Sequence, residues 1–256
     1  DFDKTFTGYK QGTTYYTWVK DAAGNVSASK STATTVIPVP DINFIYSPTA
    51  AWTNSDVKVT AKPKNDIGNY TIRTSKDGKT WEATDTQTFS SNGKMYVILW
   101  DGTNYGSSAS TTVGSIDKAK PTVSTALKST AQTVNSITLS VGATDTLSGL
   151  GKIEWYYGST NNPTTQGTTI KITDLNGSKT GPTTEQTKEM VFTGLIPGKT
   201  YYFKAKIYDV AGNSVETQVV SATTVKATAA DVSYTPSESG WKVENVKQAL
   251  DYLYNR

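Results

Sequence analysis

One aromatic-rich phrase occurs three times in this chain, and it constrains the fold more than any other feature of the sequence. The copies occupy residues 14–25, 94–104 and 200–213. In each copy, β-branched and aromatic residues flank a cluster of Asp, Gly and Asn residues. The flanking residue types favour strands, and the cluster supplies the positive φ angles of a tight turn. Each copy is therefore predicted to form a β-hairpin.

The chain between these hairpins also has strand patterns. Residues 54–59 match residues 135–141, residues 70–74 match residues 153–157, and alternate positions in these segments are apolar. A period of two places one face of a strand against a core. The strands follow one another at short intervals without an intervening helical period. This spacing favours antiparallel sandwiches over parallel α/β units.

Two proline-containing linkers divide the chain, at residues 37–40 and 117–121. Proline has no backbone donor, so these segments suit junctions or sheet edges. The part before the first linker contains the last strands of a sandwich without the first ones. Because the sequence opens without Met, we expect the chain to begin inside a longer polypeptide. We expect the first sandwich to be truncated, or to be completed by another segment or chain.

Composition excludes most familiar enzyme chemistries. The 256 residues contain no His and no Cys, which removes imidazole bases, thiolate nucleophiles, disulfides and zinc–thiolate sites. The sequence has no nucleophile elbow, phosphate loop or metal signature, so we predict a non-enzymatic protein without a cofactor. The net charge of +3 is small and scattered, so nucleic acid is not an expected partner. No segment of the sequence is long enough to span a membrane.

A loop and strand near the C-terminus resemble part of a fibronectin type III domain. Residues 195–201 read Leu-Ile-Pro-Gly-Lys-Thr-Tyr, and apolar residues alternate after them. In that family the leucine closes one end of the sandwich and the tyrosine hydroxyl bonds to the backbone. The resemblance implies these roles for Leu195 and Tyr201. Residues 9–15 fit the same template, with Tyr9 in the place of leucine.

Two further motifs are similar to hairpins of secreted bacterial repeats. Asp-x-Ala-Gly-Asn, at residues 21–25 and 209–213, resembles the last hairpin of bacterial immunoglobulin-like and fibronectin-like repeats. Residues 75–81 resemble a hairpin common in the same proteins. Such modules serve as spacers, adhesins and enzyme appendages, so the resemblance implies an architecture and an extracellular location rather than one activity.

The predicted fold class is all-β, with tandem immunoglobulin-like and fibronectin type III-like β-sandwiches followed by a short C-terminal helix. The predicted segments are 1–38, the C-terminal part of a fibronectin type III-like sandwich; 39–117, a bacterial immunoglobulin-like domain; 118–225, a fibronectin type III-like domain; and 226–256, a linker and short amphipathic helix.

The C-terminal segment has the pattern of a short coiled helix. Val243, Val246, Leu250 and Leu253 are spaced alternately by three and four residues. Two heptads are marginal in water, so we expect a protein partner or self-association through these residues. The segment resembles pieces of phage tail fibres and of bacterial surface assemblies. The alternative is that the helix packs back on the preceding sandwich.

Three aspartates lie in predicted turns, where their oxygens could bind calcium between modules: Asp21, Asp145 and Asp209. The favoured interpretation is that each caps its own turn by accepting bonds from nearby backbone amides. No dense run of alternating aspartates occurs, so the sequence predicts no metal site, just as it predicts no catalytic or cofactor-binding residue.

The aromatic residues of the predicted strand 153–157 are candidates for stacking on sugar rings. Alternation places Ile153, Trp155 and Tyr157 in the core and leaves Tyr156 exposed, so the sequence favours a packing role. Sequence does not orient three other tryptophans that could contact a surface glycan: Trp52, Trp81 and Trp241.

Some cysteine-free bacterial sandwiches carry a lysine–asparagine cross-link beside a buried carboxylate. Lys58 and Asn43 occur in predicted strands and are an example of such a pair. The reaction needs the two side chains to be adjacent in space. Their spacing in the sequence does not reveal whether they are.

Together these features predict a non-enzymatic extracellular module that acts as a rod-like spacer, or as a filament or assembly component, on a bacterial surface. Stacked sandwiches expose few edges and need no cofactor, which suits a mechanical role. One alternative is a phage tail-fibre or decoration component of the virion tail. Another is a set of accessory, carbohydrate-binding modules of a secreted enzyme.

Overall fold

The computed structural model describes residues 12–33, 36–163, 169–175, 183–231, 233, 235 and 242–255. It divides into two compact units, an N-terminal unit of Asp1–Ala50 and Asp56–Ile116, and a C-terminal unit of Ala51–Ser55 and Asp117–Arg256. Every strand pair among the described residues is antiparallel, and this arrangement confirms the all-β fold class. The predictions for Tyr9 and Trp241 lie outside the described residues.

The N-terminal unit contains a hairpin and two three-stranded sheets. The hairpin pairs β1 (Thr14–Thr17) with β2 (Lys30–Ala33). The remaining strands are β3 (Ile42–Ser47), β4 (Val57–Pro63), β5 (Thr71–Ser75), β6 (Thr86–Phe89), β7 (Gly93–Trp100) and β8 (Ala109–Val113). The two sheets have the strand orders β3-β4-β6 and β5-β7-β8.

Alternating apolar residues build the core between these two sheets. In β4 the buried residues are Val57, Val59 and Ala61, and the intervening side chains are more exposed. Met95 and Val97 are buried in the same way on β7. These residues belong to one hydrophobic cluster, so the predicted period of two produces a sandwich core.

In the part that the structure describes, the C-terminal unit is a sandwich of seven strands, one of them interrupted, with a short helix. Its elements are β9 (Thr122–Gln132), β10 (Ser136–Asp145), β11 (Leu150–Gly158), β12 (Thr169–Asp174), β13 (Thr183–Thr193), β14 (Thr200–Asp209), β15 (Ser214–Glu216), β16 (Val220–Thr223) and α1 (Val246–Tyr254). Strands β13-β10-β9 form one sheet, and β12-β11-β14-β15 form the other, with β16 also pairing with β14. Strands β15 and β16 both pair with the same edge of β14, so together they form one interrupted strand, the seventh of the sandwich. Together the two units confirm the predicted tandem immunoglobulin-like and fibronectin type III-like sandwiches.

The core of the C-terminal unit contains a group of aromatic rings among aliphatic residues. Trp155 and Phe203 are fully buried, and the rings of Phe192 and Phe203 lie 5.2 Å apart. At one end of the sandwich, the Ile196 amide donates to the Tyr201 hydroxyl at 3.0 Å, and Leu195 is buried. These are the roles that the resemblance to fibronectin type III domains implies.

The prediction that Tyr156 is exposed is wrong, because only 5% of this residue is accessible. Its side chain is on the outer face of β11, as alternation requires. However, β11 has a neighbouring strand on each side, and Lys204 lies directly opposite on β14. The Lys204 ammonium lies 5.5 Å from the centre of the Tyr156 ring, and the tyrosine hydroxyl donates to Glu154. Long polar side chains thus cover the ring.

Helix α1 is nine residues long and begins after Asn245, whose side chain accepts a hydrogen bond from the Gln248 amide at 2.9 Å. The four residues of the predicted seam have different environments. Val243 is buried and Val246 is half-buried, whereas Leu250 is 56% and Leu253 is 57% exposed. Within the described part of the chain, no helix has the length and apolar character needed to cross a bilayer.

Within each sandwich, the register places the first and last strands so that the chain enters at one end and leaves at the other. In the C-terminal unit, Thr122 at the start of β9 pairs with Thr144 near the end of β10, and Asp209 at the end of β14 pairs with Leu150. The last strand finishes at Thr223, beside the start of β14. The same tracing through the N-terminal sandwich also gives opposite ends.

Candidate metal centre

Three segments of the C-terminal unit meet at the end of the sandwich where β9 begins. The pairing of Thr144 with Thr122 places the end of β10 beside the start of β9. The pairing of Leu150 with Asp209 places the end of β14 beside the start of β11, which follows β10 after a short turn. Side chains that immediately precede β9 or end β10 and β14 therefore converge.

Three aspartates occupy these positions. Asp117 precedes β9, Asp145 ends β10 and Asp209 ends β14. Their exposed fractions are 0%, 3% and 4%, and one carboxylate oxygen from each lies within 4.8 Å of the other two. A cluster of three buried carboxylates is costly unless protons, donors or a cation compensate the charges.

Backbone amides hold Asp117 in place. Its Oδ1 accepts from the amide of Ala119 at 3.0 Å, and its Oδ2 accepts from the amide of Ser148 at 2.9 Å. Its own amide donates to the carbonyl of Thr53 at 2.9 Å. Because Ser148 belongs to the turn after β10, the second bond ties the segment before β9 to that turn.

Asp145 accepts hydrogen bonds through only one of its two oxygens. Its Oδ2 accepts from the amides of Leu147 at 3.1 Å and Gly149 at 2.6 Å, which is the turn cap expected from the sequence. Its Oδ1 is buried and has no hydrogen-bond partner. A buried carboxylate oxygen without a donor is uncommon in folded proteins and requires an explanation.

Asp209 is held by the asparagine of its own motif. The main-chain amide of Asn213 donates a hydrogen bond to Asp209 Oδ1 at 2.7 Å. The side-chain Nδ2 of Asn213 donates to Asp209 Oδ2, also at 2.7 Å. The same Nδ2 donates to the main-chain carbonyl of Asp117 at 2.9 Å. Asn213 therefore connects two of the three clustered aspartates.

Asparagine also donates hydrogen bonds to aspartate in the exposed turns of the other two hairpins, but the electrostatic result differs there. Hydrogen bonds from Asn25 lower the pKa of Asp21, and hydrogen bonds from Asn104 and Thr103 lower the pKa of Asp101. At Asp209, burial raises the pKa, and the nearby charge of Asp117 acts in the same direction. The motif alone favours the carboxylate form, whereas the location in the cluster opposes it.

Glycine permits the close approach of β11 to β14 at the cluster. A Cβ atom on Gly151 would lie 2.7 Å from the carbonyl oxygen of Asp209, closer than real contacts allow. In the preceding turn, Gly149 has a φ angle of +84°, and its main-chain amide donates a hydrogen bond to Asp145. Positions 149 and 151 therefore both favour glycine, the first because of its backbone conformation and the second because of close packing.

The three clustered carboxylates offer the oxygen donors that a hard cation binds. All three aspartates are more than nine-tenths buried, so a substrate could not reach them without rearrangement of the loops. The oxygens are close enough to surround one ion, and oxygen ligands are those that calcium and magnesium prefer.

The structure brings together two of the three aspartates that the sequence singled out, and adds one that it did not. Asp145 and Asp209 meet, but Asp21 is exposed and hydrogen-bonds within its own hairpin to Asn25. Asp117 was missed as a site residue because its neighbours have the composition of a linker. Local sequence contains no signal for its position, which depends on long-range strand register.

Among the described residues, the other candidates from the sequence lie apart from this cluster. Trp52 and Trp81 are partly buried, and the Trp81 ring lies 6.3 Å from that of Tyr105. In the β3–β4 ladder, Asn43 pairs with Lys62 and Lys58 pairs with Ser47, so Lys58 and Asn43 are not opposite one another.

Comparisons with known proteins give structural resemblance only. No protein-family model and no curated protein sequence matches the chain. Among solved structures, the chain resembles the chicken CNTN1 FN1–FN3 domains with a TM-score of 0.39 and 14% identity, over 84% of this chain and 79% of that one. It also resembles a two-domain fibronectin type III segment from chicken tenascin, with a TM-score of 0.31 and 12% identity, over 73% of this chain and 100% of that one.

Proposed function

We propose that this chain is a non-enzymatic structural or adhesion module, which acts as a spacer or assembly component on the outside of a bacterial cell. The observation that carries the proposal is the path of the chain through each sandwich. In both, the polypeptide enters at one end and leaves at the other, which is the chain path expected of a spacer module.

Independent cores also support a mechanical role. The hydrophobic cores of the C-terminal and N-terminal units are built from separate sets of residues. Each sandwich can therefore resist load by itself, and the loss of one need not unfold the other. A spacer benefits from this property, because local unfolding then lengthens the chain without breaking it.

Single-molecule force spectroscopy tests the mechanical role. We expect two separate unfolding events, with contour-length increments of about 25 nm for strands β3–β8 and about 35 nm for strands β9–β16. A single event that releases both lengths together would contradict independent modules.

Antibody labelling tests the proposed location. An antibody against the chain should label intact cells of the bacterium that carries the gene. Labelling only after the cells are permeabilised would contradict a surface location.

The exposed leucine side chains of helix α1 favour a second candidate function, which is assembly into a filament or a phage tail fibre. Leu250 and Leu253 are one helical turn apart and are both more than half exposed. We propose that they mediate self-association with the same helix of a second copy, since a nine-residue helix gains stability by burying such residues.

Light scattering on the full-length chain tests this second candidate. We expect an oligomer that dissociates in the double variant Leu250→Glu/Leu253→Glu. Val225→Glu is a matched control, because Val225 is 49% exposed outside the helix. A monomeric wild-type chain would contradict self-association.

The glycan-binding alternative has less support, because Trp52 and Trp81 are both partly buried.

A further inference from the structure

We propose that Asp117, Asp145 and Asp209 bind one calcium ion within the C-terminal unit. The three residues come from the segment before β9 and from the ends of β10 and β14, and the strand register brings them to one end of the sandwich. The proposal is independent of the function suggested above, because it concerns only this cluster.

Distances between the carboxylates match the size of the ion. Calcium binds oxygen at about 2.3–2.6 Å, so two ligands on opposite sides of the ion are about 5 Å apart. One oxygen from each of the three aspartates lies within 4.8 Å of the other two. The three oxygens are therefore close enough together to share one calcium ion.

The unpartnered oxygen of Asp145 is the second, independent observation. Both backbone donors of the turn, Leu147 and Gly149, bond to Oδ2, and the buried Oδ1 has no partner. If Asp145 served only to cap the turn, its second oxygen would not need to be buried away from water. A bound cation gives Oδ1 the partner that the protein does not supply.

Charge balance points in the same direction. Three buried carboxylates repel one another, so their burial is costly without a compensating positive charge. A divalent cation between them compensates most of this charge. The equivalent aspartates of the other two hairpins, Asp21 and Asp101, are exposed and do not need such compensation.

The ligand types select calcium among common cations. The chain has no His or Cys, so the softer transition metals lack their preferred ligands. Magnesium is bound in a strict octahedron and usually retains several waters. A cluster whose side chains are more than nine-tenths buried has little room for these waters, whereas calcium tolerates irregular coordination by protein oxygens.

Calcium titration of the full chain, after removal of metal with EDTA, tests the proposal. Differential scanning calorimetry should show that millimolar CaCl₂ raises the Tm of the C-terminal unit by about 5 °C or more. Isothermal titration calorimetry should give one ion per chain. Absence of both the shift and the binding heat would overturn the proposal, and an equal response to MgCl₂ would overturn the assignment to calcium.

Asparagine variants separate a calcium ligand from a purely structural aspartate. Asp145→Asn keeps an oxygen acceptor for the turn, and its new NH₂ group can donate to the neighbouring carboxylates. We expect this variant to fold in EDTA with a Tm no lower than that of the wild type, and to lose the calcium response. Retention of the full calcium shift would contradict a ligand role. Unfolding of the variant at room temperature in EDTA would also contradict it, because the aspartate would then be needed for folding without calcium.

Two further variants complete the test. Asp209→Asn should also lose the calcium response, which guards against an effect peculiar to position 145. Asp21→Asn is the matched control, because Asp21 makes the same bonds to its asparagine but is exposed. This control should retain the full calcium shift, and its loss would show that the effect does not arise at the cluster.

Discussion

The side-chain Nδ2 of Asn213 donates a hydrogen bond of 2.9 Å to the main-chain carbonyl of Asp117, although the two residues are 96 positions apart. This bond joins the last hairpin of the C-terminal sandwich to the segment that precedes its first strand. The same asparagine also caps Asp209. A turn motif has thus acquired a long-range structural role in addition to its local one.

Asn213→Ala should lower the free energy of unfolding of the C-terminal unit by about 1–3 kcal/mol, because two buried acceptors lose their donor. Asn25→Ala removes the corresponding asparagine from the exposed hairpin and should cost about 0.5 kcal/mol or less. Urea denaturation of both variants measures the difference. Equal effects would show that the bond to Asp117 contributes nothing beyond the local cap.

Gly151→Ala should destabilise the C-terminal unit by about 1–3 kcal/mol, because the new methyl group would overlap the carbonyl oxygen of Asp209. Gly114→Ala is a suitable control, since a Cβ there meets no atom within 4 Å. Thermal unfolding of the two variants checks the prediction. A Tm for Gly151→Ala equal to that of the wild type would mean that β11 and β14 can separate slightly without cost.

Tyr201→Phe should destabilise the C-terminal unit by about 1–3 kcal/mol, because the Ile196 amide would lose its acceptor. Tyr202→Phe is the control, since Tyr202 points to the opposite face of β14 and is only half-buried. Chemical denaturation provides the comparison. If both variants unfolded at the same denaturant concentration, the hydroxyl of Tyr201 would have no role in stability.

Asp77 should make the N-terminal unit less stable in acid. Hydrogen bonds from the Ser75 hydroxyl and from the amides of Thr80 and Lys79 hold the pKa of Asp77 well below its ordinary value of 3.8. The folded state therefore binds this proton more weakly than the unfolded state does. The resulting stability is present above about pH 4 and is lost as the pH falls below that value.

The variant Asp77→Asn tests this pH dependence. The difference in Tm between the wild type and the variant should be largest near neutral pH and should shrink as the pH is lowered below about 4. A difference that stayed constant with pH would assign the role of Asp77 to hydrogen-bond geometry and not to its charge.

Local patterns in the sequence correctly predicted most of the fold. Alternation predicted β4 and β10, and the Asp/Gly/Asn clusters predicted turns, because both depend on residues that are neighbours in the chain. The same reasoning failed for Tyr156. Alternation gives the face of the strand on which a side chain lies, but not whether a lysine from the adjacent strand covers it.

The sequence by itself determined that this is a chain of β-sandwiches without imidazole or thiol chemistry, since strand periodicity and composition are local or global properties of the residues. Only the tertiary structure decided which of its aspartates act together. Asp117, Asp145 and Asp209 are far apart in the sequence, and their contact depends on the register of β9 against β10 and of β11 against β14. Register is set by the packing of whole sheets, so no short motif could reveal that these three carboxylates share one buried space.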